Sequence, residues 1–160
     1  MSLEEKYNGI VTGFPTPTKP STFGKPYTFP EDVAGIGSTD LGRWLFKLAG
    51  WKGYTVKLLA VADSVNYVMN EVLEAKITMK MASFISDKKL VKDALRGKII
   101  GDDSELKELK CRCIEKTGEV MMLKRLLDMY SSQLDIISRE ISRRGIEMKA
   151  MQTGIMTKED

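Results

Sequence analysis

The sequence predicts an all-α protein: a long helical hairpin, coiled-coil-like, that oligomerises and carries a proline-rich extended N-terminal arm. Three observations predict it. All five prolines lie between Pro15 and Pro30. Residues 39–85 and 104–151 repeat apolar side chains at alternating spacings of three and four, the signature of a helix with one apolar seam. Between them, residues 86–104 lose that spacing and gain glycine and aspartate.

Residues 1–37 read as the arm. Its start, MSLEEKYNGI, lacks the basic start and apolar stretch of a secretory signal, so an intracellular, cytoplasmic location is expected. The run FPTPTKPSTFGKPYTFP at 14–30 cannot be helix interior, because proline fixes φ and removes a backbone donor. A disordered tail is the plainer reading. The sharper one is an arm packed on a neighbour through Phe14, Phe23, Tyr27 and Phe29.

The helical hairpin domain is expected over 38–152. Its first helix opens at Gly35-Ile36-Gly37-Ser38-Thr39-Asp40, with Ser38 or Thr39 as N-cap. Its seam reads Leu41, Trp44, Leu48, Trp51, Thr55, Leu58, Ala62, Val65, Met69, Val72, Lys76 and Met79. Leu45, Leu59 and Val68 widen the stripe, which calls for more than one partner helix. Gly42, Gly50 and Gly53 each cost about 1 kcal/mol against alanine. Either the helix breaks near Gly50–Gly53 or close packing compensates.

Next comes a short helix over about 87–96 and then a turn punctuated by Gly97 and Gly101. Asp102, Asp103 and Ser104 offer the cap of the last long helix. That helix carries Leu106, Leu109, Cys113, Lys116, Val120, Leu123, Leu127, Tyr130, Leu134, Ile137 and Ile141, then Met148 and Met151 beyond a kink or end at Gly145. Residues 153–160 are expected to fray. A hairpin leaves apolar positions over, so self-association is expected. The expected interface is Val120, Leu123, Leu127, Tyr130, Leu134, Ile137 and Ile141.

Composition excludes more than it identifies. Hydrophobic content of 42% is enough for a core, while no apolar run reaches the roughly 18 to 20 residues that span a bilayer. The chain has no histidine, the residue most used in catalytic triads, metal sites and acid–base steps. Glycine-rich phosphate loops, nucleophile elbows and paired-carboxylate clusters are absent too. Cys111 and Cys113 stand two apart on a helix, where they point in different directions, and a zinc site would need two further ligands. No enzyme, metal or cofactor is therefore expected.

Charge is the remaining lead. The net charge is only +3, yet residues 76–98 hold Lys76, Lys80, Lys88, Lys89, Lys92, Arg96 and Lys98 against Asp87 and Asp93 alone. Such a patch binds phosphate backbones by counterion release, and Phe84 offers a ring for a base to stack on. Arg139, Arg143 and Arg144 are balanced by Glu140 and Glu147 and read as a salt-bridged helix surface. Arg43, Lys47, Lys52 and Lys57 accompany Trp44, Trp51 and Tyr54, but the tryptophans hold seam positions and read as core.

The layout resembles the phage UvsY-type recombination mediators, small helical proteins that oligomerise into rings. The likeness rests on Ser38 and Thr39 followed by Trp44 and Trp51, a lysine-rich middle, and LLDMYSSQLDIISREISRRGIEMKAMQ at 126–152. In that last stretch Leu126, Leu127, Leu134, Asp135, Ile137, Arg144, Gly145 and Ile146 match the family's closing pattern. The nearest segment to the family's basic motif is MKMASFIS at 79–86, with Lys80 and Phe84 but no arginine. The resemblance implies a homo-oligomer that binds single-stranded DNA and helps load a recombinase, in the company of a single-strand-binding protein, inside a bacterial host. The alternative is a structural or scaffolding coiled-coil protein, for instance in phage assembly, with protein contacts alone.

Overall fold

A computed structural model describes residues 2–13, 15–83 and 92–156. Among the described residues the chain is all-helical: α1 is Leu3–Thr12, α2 is Ser38–Ser83, α3 is Lys92–Asp102 and α4 is Ser104–Met156, with no strand. Residue contacts divide the chain into two compact units, Met1–Thr16 with Lys57–Lys124 and Pro17–Val56 with Arg125–Asp160. Each unit owns a stretch of α2 and a stretch of α4.

Helix α1 corrects the extended-arm expectation for residues 3–12. A capping box starts it: the Glu5 N–H donates to Ser2 Oγ at 3.1 Å and the Ser2 N–H donates to Glu5 Oε2 at 2.6 Å. No proline occurs before Pro15, so nothing blocks the ladder until Gly13, whose N–H donates to the Ile10 carbonyl.

In the first unit, α2 and α4 pack antiparallel, as Asn66 meets Thr117 and Lys76 meets Glu105. The core joins Val61, Val65, Met69, Leu73 and Ile77 of α2 to Leu106 and Cys113 of α4 and Ile99 of α3. Ala62 packs with Val120 and Leu123 in a smaller cluster. Beyond Met69 the seam departs from the expected heptad. Leu73 and Ile77 are buried, while Val72 and Met79 are exposed. A straight helix drifts about 20° per heptad against a 3.5-residue repeat, and steps of four from Met69 restore the contact. Helix α3 runs through Gly97 and Gly101, where a turn was expected, and Asp102 ends it. Burial of Ile99, worth about 1.5 to 3 kcal/mol, offsets the propensity cost of its glycines. Asp103 then caps α4, its Oδ1 accepting from the Leu106 N–H at 3.0 Å.

In the second unit, residues 17–36 lie along α2 and α4. Phe23, Tyr27, Phe29, Val33 and Ile36 pack on a core of Leu41, Leu48, Trp51, Tyr130 and Ile137. Trp51 Nε1 donates to Thr22 Oγ1 at 3.0 Å, and the Tyr27 hydroxyl donates to Gln133 Oε1 at 2.8 Å. The ring centroids of Tyr27 and Trp51 are 4.6 Å apart. Gly24, with φ of +81°, closes a turn from Thr22 to Lys25 that an L side chain would strain. One glycine of α2, Gly53, has a use here. A Cβ at Gly53 would stand 3.2 Å from Pro17 Cγ, and one at Gly50 would stand 3.7 Å from Pro20 Cγ. Helix α2 does not break here, and close packing answers for Gly53, whereas Gly50 has room for a Cβ.

Helix α2 begins at Ser38, one residue earlier than an N-cap at Ser38 would allow. Gly37 takes that place, its carbonyl accepting from the Leu41 N–H at 3.0 Å. Arg144 staples this corner to α4. Its guanidinium donates to the carbonyls of Ala34 at 2.9 Å and Ile36 at 2.7 Å, and to Ser38 Oγ. Helix α4 continues through Gly145 to Met156, into the stretch expected to fray.

The residues expected at an oligomer interface lie as follows in the single chain. Val120, Leu123, Tyr130 and Ile137 are buried in the chain's own core, and Leu134 is half-buried against it. Leu127 is half-buried as well, and of this set only Ile141 is exposed. The buried members face α2 of the same chain.

Candidate nucleic-acid interface

The cation-rich segment begins on the last turns of α2 and resumes on α3, both in the first unit. Phe84, Lys88 and Lys89 lie outside the described residues, and Lys92 opens α3. The structure brings Lys76, Lys80 and Arg96 to carboxylates. Arg96 makes a two-pronged pair with Glu74, with Nη1 to Oε2 at 2.7 Å. Lys76 pairs with Glu105 and Lys80 with Asp103. Lys98 is exposed.

These pairs explain part of what the sequence concealed. The partner acids sit just outside the 76–98 window, two residues before it and five to seven after it, and the fold returns them to the patch. The Arg96 hydrogen bond holds the Glu74 carboxyl below its ordinary value, and the Lys76 hydrogen bond does the same to Glu105. The three pairs are exposed enough for solvent to screen them. They hold the cations in place without sealing them away. A phosphate oxygen offers the same charge-assisted acceptor as the carboxylate it would displace.

A second charged constellation was not foreseen. Lys116 is largely buried and bridges α1 to α4, its Nζ 2.5 Å from Glu4 Oε1 and 2.6 Å from Glu119 Oε2. Burial works against its charge, but the hydrogen bonds to Glu119 and Glu4 outweigh it and raise the lysine pKa. The sequence had placed Lys116 in the apolar seam. Its spacing was right; its chemistry came from a helix, α1, that had not been anticipated.

Arg143 and Glu140 behave as the sequence predicts. Arg143 reaches both Glu140 and Glu147, and Glu140 also accepts from Arg144 Nε at 2.7 Å. These two arginines depress the Glu140 carboxyl to about 2. Trp51 is buried and Trp44 half-buried. Lys47 Nζ lies 4.7 Å from the Trp44 ring and 4.9 Å from Trp51, so that aromatic group already holds a cation of its own.

Comparison with protein-family profiles, curated proteins and solved structures finds no match.

Among the described residues, no group of three or more His, Cys, Asp or Glu side chains gathers to hold a metal ion. No described helix is long and apolar enough to cross a membrane.

Proposed function

We propose that the chain binds single-stranded DNA as a homo-oligomeric recombination accessory protein of the UvsY type, helping to load a recombinase. The observation that carries this reading is the concentration of seven cations against two acids between residues 76 and 98 in a chain whose net charge is only +3. The ion pairs to Glu74, Asp103 and Glu105 fix Lys76, Lys80 and Arg96 at the surface of the first unit. Phosphates arriving along a strand exchange with those carboxylates and release counterions from the strand. Lys88, Lys89, Lys92 and Lys98 continue the same positive run in the sequence, and the Phe84 ring is of the kind on which a base stacks.

The end of α4 offers a surface for self-association. There Ile146, Met148 and Met151 are exposed, beyond the point where Arg144 meets the start of α2. The same exposed residues favour a second reading, a scaffolding protein that makes protein contacts alone.

The experiment that separates the two readings titrates a labelled oligo-dT by fluorescence anisotropy at two salt concentrations, with solution mass recorded alongside. The proposal expects salt-sensitive binding by an oligomer, abolished in the Lys88→Glu, Lys89→Glu, Lys92→Glu variant at unchanged mass. A well-formed oligomer that ignores the oligonucleotide at low salt hands the reading to the scaffold.

A further inference from the structure

We propose that the groove between α2 and α4 in the first unit takes the α1 helix of a second copy of this chain, by exchange with its own. Three features of α1 point to exchange.

First, α1 is lightly held. It has ten residues and none of them is buried, and helices shorter than about 12 to 15 residues are marginal on their own. Its attachment consists of Tyr7 and Val11, one turn apart on one face, against the core, together with the Glu4–Lys116 pair.

Second, the seat of α1 is loosely packed, which lowers the cost of leaving it. A cavity of about 590 Å³ remains beside its first turn, over Val65, Met69 and Leu109.

Third, the chain leaves α1 through residues 13–16 and is anchored again at Pro17, whose ring seats against Gly53. Pro15 and Pro17 prevent α1 from extending into a longer helix that would tie it down. Exchanging an identical element between copies keeps every contact and costs little. The occupant's chemistry is therefore fixed: two apolar residues one turn apart, with an acid in the first turn opposite Lys116.

The test is a charge swap in the full chain. Glu4→Lys sets two ammonium groups against each other across the groove. Lys116→Glu gathers three carboxylates there. Each variant alone has a mismatched groove, whether α1 stays at home or swaps between like copies. Mixed together, reciprocal exchange restores both pairs.

Sedimentation of the equimolar mixture should show a two-chain species at about tenfold lower concentration than either variant alone. Helical content and melting of each variant, followed by circular dichroism, verify that both fold. A mixture that sediments as the average of its two components overturns the exchange. Neither position belongs to the 76–98 patch, so oligo-dT titration of the same variants reads the DNA proposal separately. Retained binding with no mixed species sinks the exchange alone. Lost binding in a mixture that does form the species sinks the DNA reading alone.

Discussion

If Glu74 and Glu105 compete with phosphate for Arg96 and Lys76, removing their charge should change how binding depends on salt. The Glu74→Gln, Glu105→Gln variant keeps the side-chain shape and frees two cations, because Arg96 and Lys76 lose their paired carboxylates. Asp103 is left intact, since it also caps α4. Each additional phosphate neutralised on a single strand steepens the slope of log K against log salt by about 0.7. As far as the carboxylates keep both cations off the strand in the parent, freeing them steepens it by up to about 1.4. Over a fourfold rise in salt, from about 50 to about 200 mM, the variant should lose up to about sevenfold more affinity than the parent, having started tighter. The assay is oligo-dT anisotropy at four or more salt concentrations. A slope and a low-salt affinity both equal to the parent's would refute the reasoning, because removing a competing carboxylate would then have changed nothing.

Three further expectations concern the fold. Leu73→Ala should cost about 2 to 5 kcal/mol, because Leu73 is fully buried, whereas Met79→Ala should stay within about 0.5 kcal/mol; urea melts of both variants check the slipped seam, and equal costs would contradict it. Gly118→Ala should stabilise by about 1 kcal/mol, since a Cβ there meets nothing within 4 Å and alanine is the better helix former; a lowered melting temperature would count against a straight α4 at that point. Glu140 has a folded pKa depressed from 4.5 to about 2, so its contribution is complete above about pH 4.5 and disappears as pH falls towards 2. The melting temperatures of the parent and Glu140→Gln should differ most above that range and converge below it.

The helices were legible because their seams were. Leu41, Leu48, Trp51, Ala62, Val65 and Met69 on α2, and Leu106, Cys113, Val120, Leu123, Tyr130 and Ile137 on α4, are buried where their spacing places them. What the spacing could not say is which helix they face, and within the chain the seams of α2 and α4 face each other. Helix α1 was hidden by averaging a proline-rich window over residues that precede its first proline. The Ser2-x-x-Glu5 box was there to be read. The seam slip at Leu73 was not legible, because a strict heptad and a straight helix differ by too little over a few turns to be told apart in one sequence. At the candidate site, the cations stood out as a run, but their acidic partners are brought in by tertiary structure. Glu74 is 22 residues from Arg96, and Glu105 is 29 from Lys76.

The placement of Trp44 and Trp51 has a practical consequence. These are the chain's only two tryptophans, and both belong to the unit formed by Pro17–Val56 and Arg125–Asp160. Indole emission therefore watches that unit alone, while the unit carrying the cation-rich segment is dark at that wavelength. Backbone dichroism, by contrast, sums both. Coincident denaturation curves from the two signals would mean one cooperative transition. A displaced pair would resolve the melting of each half of the chain without a single label being introduced.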